Sequence, residues 1–238
     1  MHFEVLVEDR SGKKMLDILL PRLIGEGHTF RVIAHGGVGR IPRDLRDPKE
    51  LSKRTLLNKL PGMLRAYGKI YRLPPAGEGA SPDPAAAVIL VCDLDDRCRK
   101  AFREEVLRIL DQCDPRPEAR LCFAVEEGEA WFLGDPDAIM KAYPRAKGAV
   151  LASYENDSVC GTWEKLADAI FPGGRQALKR KEWPAIGAEK FRWAEAIAPH
   201  MDADRNTSPS FRHFRDKVRE LIGSSEEVRA PIPGTAEE

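Results

Sequence analysis

Residues Ala87-Val88-Ile89-Leu90-Val91-Cys92 form an unbroken apolar run that ends at once in Asp93-Leu94-Asp95-Asp96. Six successive apolar residues leave no polar face, so the run reads as a strand buried on both sides, the kind found inside a parallel sheet. Such a strand needs helices on both of its faces, which points to an α/β fold. Ligands of open α/β sheets bind beyond the carboxyl ends of the strands. Carboxylates concentrated there ask for a divalent cation or a functional substrate.

Two other strand candidates also run into acid. Phe3-Glu4-Val5-Leu6-Val7 is followed by Glu8-Asp9, and Arg120 to Val125 is followed by Glu126-Glu127-Gly128-Glu129. Thr29 to His35 is a further strand candidate, and a strand is also expected near Lys69 to Leu73. Helices are predicted behind Ser11, read as an N-cap, with Leu16, Leu19, Leu20 and Leu23 at helical spacing, and from about Ser52 to Tyr67. Phe102, Val106, Ile109, Leu110 and Cys113 mark another, ended by the Asp-Pro-Arg-Pro run at 114–117. The alternation predicts a mainly parallel sheet of about four strands flanked by helices, with carboxylates from three strand ends able to converge at one edge.

Beyond Trp131 helical pieces are predicted around Asp137 to Tyr143, Trp163 to Phe171, Ala188 to Ile197 and Phe211 to Ile222. The expected organisation is a core over 1–145, a mostly helical C-terminal part over 146–222 packed on it, and a disordered charged tail over 223–238. The Pro/Gly-rich stretch 74–84 reads as an exposed loop within the core.

Thirty-eight basic and 38 acidic residues cancel, which excludes a dominating basic surface but not local patches. No run reaches the length of a membrane span and the opening MHFEVLVED does not resemble a signal peptide, so a cytoplasmic protein with no membrane partner is expected. None of the five cysteines makes a C-x-x-C pair, which removes the usual footing for zinc or thioredoxin chemistry. The glycines at 36, 37 and 39 meet Pro42 rather than a helix, so neither a dinucleotide fingerprint nor a Walker loop is present.

A single acid at a strand end is commonly a helix cap or a solvated turn. Four or more converging carboxylates would repel one another unless a cation neutralised them, and oxygen-only ligands favour magnesium, manganese or calcium. Two ions roughly 4 Å apart would suit phosphodiester hydrolysis. Haloacid-dehalogenase phosphatases also use Asp-x-Asp after a strand, but Arg97 stands where their pattern has Thr or Val. Nucleotide-sugar transferases use Asp-x-Asp for manganese and leave Glu8 unexplained.

The runs VEDRSGKK, LVCDLDDR, VEEGEAWFLGD and NTSPSFRHF together resemble an uncharacterised bacterial family of TOPRIM-like proteins, related to the TOPRIM domain of OLD-type nucleases, over residues 3 to about 222. The resemblance implies a TOPRIM-like core of four parallel strands and binding of Mg2+ or Mn2+. It implies nuclease activity on DNA or RNA, with Glu8, Asp93 and Glu127 catalytic and Glu8, Asp93, Asp95, Glu126, Glu127 and Glu129 holding metal. One departure is Asp9, where the family pattern has glycine. The resemblance also implies an ABC- or SMC-type ATPase partner in phage defence. The alternative is a catalytically silent TOPRIM-like module that binds nucleic acid or an ATPase.

Lys13, His35, Arg40 and Lys190 are the expected substrate contacts. The segment Lys179-Arg180-Lys181, with Arg175, Lys190 and Arg192 among Trp183, Phe191 and Trp193, reads either as a phosphate-binding surface or as a solvated helix face. Asn206, Ser208 and Ser210 read as a loop and helix cap that also match the family motif.

Overall fold

A computed structural model describes residues 1–44, 47–71, 86–94, 97–125, 127–157 and 161–229, without side chains at Leu51 and 224–229. Four strands, β1 (His2–Val7), β2 (Thr29–Ala34), β3 (Ala86–Asp93) and β4 (Ala119–Ala124), form one sheet in the order β2-β1-β3-β4. Every pairing is parallel: Val7 lies opposite Ala34 and Val91, and Asp93 opposite Ala124. The expected α/β class with a four-stranded parallel sheet flanked by helices is the observed one. The central pair β1 and β3 are therefore neighbours, and with Val7 opposite Val91 their ends bring Glu8 and Asp93 to the same edge of the sheet.

The helices are α1 (Arg10–Ile24), α2 (Pro48–Leu51), α3 (Leu56–Ile70), α4 (Arg99–Asp111), α5 (Glu129–Leu133), α6 (Pro136–Ala142), α7 (Gly148–Ala152), α8 (Thr162–Ile170), α9 (Gly174–Lys179), α10 (Trp183–Ile197) and α11 (Pro209–Arg229). Side chains alternate across the sheet, as the two-residue period of a strand requires. Phe3, Val5, Val7, Ile89, Val91 and Cys122 join the larger core with α1, α5, α8, α10 and α11. Leu6, Val88, Leu90, Cys92 and Phe123 join a second core with α3 and α4. The C-terminal helices thus pack on one face of the sheet, against α1 and β4.

Glu4 is the exception in β1, a carboxylate buried on the second face. Arg31 donates to both of its oxygens, at 2.6 and 3.0 Å, Tyr71 Oη–H donates at 2.7 Å and Tyr67 at 3.3 Å. Burial alone would raise its pKa, but these donors and the Arg31 charge outweigh burial and hold it below the usual value.

Several boundaries differ from expectation for local reasons. Asp9, not Ser11, caps α1: the Gly12 N–H donates to Asp9 Oδ1 and the Ser11 hydroxyl to Oδ2, each at 2.7 Å. No strand forms at Lys69–Leu73 among the described residues. Lys69 and Ile70 complete α3, because the apolar stripe Leu57, Leu60, Leu64, Tyr67 carries the helical period onward, and 72–73 lie outside the described residues. The helix expected from Ala188 starts at Trp183, where Pro184 suits a first turn. α11 runs through Gly223 to Arg229, beyond the expected start of the tail, since no proline intervenes before Pro231. The 74–84 stretch and 230–238 lie outside the described residues. No helix among the described residues is long and apolar enough to cross a membrane.

Candidate functional site

Three strand ends meet at one crevice. Glu8 follows β1, Asp93 is the last residue of β3, and Glu129 opens α5 just after β4; all three line it together with Asp9, Met15 and Lys190. Its interior has about 30 Å³ for the centre of a water-sized particle. That is room for one or two waters or an ion, so a larger ligand has to lie across the mouth.

Lys190, from α10, reaches in between the acids. Its Nζ donates to Glu127 Oε1 at 3.3 Å and stands 3.0 Å from Glu129 Oε2, an ion pair out of line for a directed hydrogen bond. Thr162, at the start of α8, donates to the other Glu127 oxygen at 3.4 Å. Burial would lower the Lys190 pKa, but Glu129, Glu127, Asp93 and Asp9 together drive it well above its ordinary value, so the ammonium stays charged. Asp93 is pushed well above the usual carboxylate range, first by burial, then by Glu8, with Lys190 opposing. Burial also raises Glu129, again against Lys190. One fixed cation among several acids leaves an excess of negative charge in a poorly solvated place.

A family model spans residues 7–219, from the end of β1 into α11. The chain belongs to the family described as Domain of unknown function (DUF4276). No curated protein matches it. No solved structure matches it either.

The matched span of this DUF4276 chain includes all the acids of the crevice and Lys190. Of the other residues expected at the site, Asp95 and Glu126 lie outside the described residues. Lys13 points along α1, its Nζ 2.8 and 3.0 Å from the carboxylate oxygens of Asp17, one turn away on the same helix. Arg40 is exposed and pairs with Glu50 at 3.6 Å. Neither lines the crevice, because each is answered by an acid close to it in sequence. His35 extends β2 by one ladder bond, its N–H donating to the Val7 carbonyl at 3.0 Å, which places it beside Glu8 on the sheet edge. Burial and then Lys59 lower its pKa, so the ring is neutral at pH 7; its Nε2 has no hydrogen-bond partner among the described residues. Lys190 alone of the four expected substrate contacts lines the crevice. Among the described residues, no group of three or more His, Cys, Asp or Glu side chains is arranged to hold a metal ion.

Asn206, Ser208 and Ser210 act from behind. Asn206 Nδ2–H donates to the Trp131 carbonyl at 2.8 Å and the Trp131 indole N–H donates to Ser210 Oγ at 3.0 Å. Asp157 ties the two serines together, accepting from Ser208 Oγ and from the Ser210 N–H. This network, buried except for partly exposed Asp157, fixes α5, and with it Glu129, against the start of α11. Asp157 was invisible as a partner in the sequence because it lies 51 and 53 residues from the serines.

Proposed function

We propose that the crevice is a TOPRIM-like site that binds magnesium or manganese and hydrolyses phosphodiester bonds of nucleic acid. The observation that carries this reading is the convergence of Glu8, Asp93, Glu127 and Glu129 from three strand ends onto one buried place with more negative than positive charge. The glutamate after β1 and the aspartate ending the adjacent β3 support the TOPRIM likeness. The donor set fits a hard cation, being all carboxylate, and Asp93, raised by burial and then by Glu8, is a group whose charged form such a cation would stabilise. Glu8 and Asp93 would hold it, since Lys190 already engages Glu127 and Glu129. A bound divalent ion supplies the charge that lowers the pKa of a water. Lys190 keeps a positive charge beside the place where a phosphate would lie, and Glu127 and Glu129 hold that ammonium in position. An ATPase partner and a role in phage defence are carried by the resemblance alone.

The test is cleavage of labelled DNA and RNA by the purified chain, alone and with the neighbouring gene's product, with Mn2+, Mg2+ or EDTA. Glu8→Gln and Asp93→Asn are expected to lose about 100-fold or more of a metal-dependent cleavage, since even outer-shell changes cost about 10–100-fold. Equal cleavage by all three proteins sinks the assignment.

The silent-module reading has one observation in its favour: Lys190 compensates two of the acids without any ion. Calorimetry that finds no Mg2+ or Mn2+ binding to the wild-type chain would select it.

A further inference from the structure

Trp183 is 76% exposed at the first turn of α10, whereas Trp131, Trp163 and Trp193 are buried. An indole left in water is the surface anomaly of this chain that most needs a partner. The next residue, Pro184, forms one wall of a groove with Gly187, Ala188 and Phe191 of α10; Arg10 and Ser11 of α1 form the other, and Asp9 and Glu195 also line it. Asp9 and Ser11 line both the groove and the acidic crevice, so the two are continuous.

Most of the basic segment before α10 is already engaged. Arg175 pairs with Asp168 and Lys179 with Glu164, while Lys181 and Arg192 both stand near Glu189. In the groove Lys14 pairs with Glu195 and lies 5.7 Å from the Phe191 ring centroid. Arg10 and Arg180 are exposed, and no ion pair engages either among the described residues. Glu182 is the exposed acid next to Trp183 and opposes them in part.

We propose that this groove binds a single strand of nucleic acid, with a base stacked on Trp183 and phosphates at Arg10 and Arg180, and leads it across the mouth of the crevice. The proposal deepens the nuclease reading and rests on it for the direction of the strand. An exposed indole beside a groove that Arg10 lines suits unpaired bases, whose π-faces are available; bases in a duplex are stacked on one another. The crevice is too small for a nucleotide, so a substrate has to be held outside it, and the groove is the adjoining surface with both an aromatic ring, Phe191, and an unengaged cation, Arg10.

The test is binding of a fluorescein-labelled 12-residue oligothymidylate to the full chain in EDTA, followed by anisotropy and by quenching of tryptophan emission. Trp183→Ala is expected to weaken binding at least about fivefold and to abolish the quenching, with Trp183→Phe largely restoring affinity. Gly187→Glu should also weaken it: a side chain there meets nothing within 4 Å, so it fills the groove without disturbing the helix. Two phosphate contacts predict a slope of log K against log salt of about −1.4. Undiminished binding by Trp183→Ala, no binding by the wild-type chain, tighter binding of a duplex of equal length, or a self-association that Trp183→Ala removes would each overturn the proposal. Oligonucleotide binding that depends on Trp183, with no metal-dependent cleavage by any variant, keeps the groove and rejects the nuclease. Cleavage that falls with Asp93→Asn but not with Trp183→Ala does the reverse.

Discussion

Lys190→Met isolates what the central cation does. Its side chain is 14% exposed and contacts Glu127, 20% exposed, and Glu129, which is buried. Methionine keeps much of the volume and removes the charge, leaving two carboxylates without their counter-ion beside Asp93. Removing one partner of a buried pair costs about 3–5 kcal/mol, and the residual exposure places this case near the low end, about 3 kcal/mol. For a chain of this size the melting temperature should fall by about 6–12 °C at pH 7, read by circular dichroism or calorimetry. The sign with pH follows from Glu129, whose folded pKa is already raised by burial. A carboxyl with a raised folded pKa gives stability that is complete below its unfolded pKa and lost as pH rises through the folded value. The deficit of the variant should therefore be largest at neutral pH and shrink towards pH 4.5. Glu129→Gln added to Lys190→Met should recover more than half of it, and MnCl2 should stabilise Lys190→Met more than wild type. A variant as stable as wild type at pH 7 would refute the electrostatic account of the crevice.

Arg31→Ala removes two charge-assisted hydrogen bonds from buried Glu4 and should cost about 2 kcal/mol in urea unfolding at pH 7. Because the Glu4 pKa is held low, its contribution is present above the unfolded value and lost as pH falls through the folded one, so the variant's deficit should narrow in acid. Gly134→Ala sets a methyl against Asn206 Oδ1 and the backbone of Ser208, and should cost about 1–3 kcal/mol and shift the emission of Trp131, which the same network holds.

β1 and β3 were legible because burial on both faces wrote them as largely apolar runs, and β3 with its acidic end could be read almost residue by residue. The edges of elements were less so. Ser11 and Asp9 are both good capping residues two positions apart, and only the geometry of the turn shows which carboxylate the Gly12 N–H meets. Residues 69–73 carry the β-favouring Ile and Tyr, but the stripe from Leu57 to Tyr67 ties the first of them to α3. At the site, the acids stood out because each follows its own strand. The role of Lys190 did not, since Glu127 is 63 residues away and only the fold of α10 back over α1 brings them together. Lys13 and Arg40 looked equally available in the sequence, yet each had a local acid to answer it.

The bonds from Asn206 and Ser210 to Trp131 give the crevice a history as well as a shape. A ribosome releases Glu8, Asp93, Glu127 and Glu129 first, Lys190 63 residues after Glu127, and the two polar pins of α5 later still. At roughly 5–20 residues per second Glu127 waits about 3–13 s for its cation, and Glu8 and Asp93 wait longer. A nascent or prematurely terminated chain that stops short of α11 carries every carboxylate of the site and Lys190, but lacks Ser210, the acceptor for the Trp131 indole N–H. In such a chain α5, and Glu129 with it, has one of its two polar pins, Asn206, and not the other.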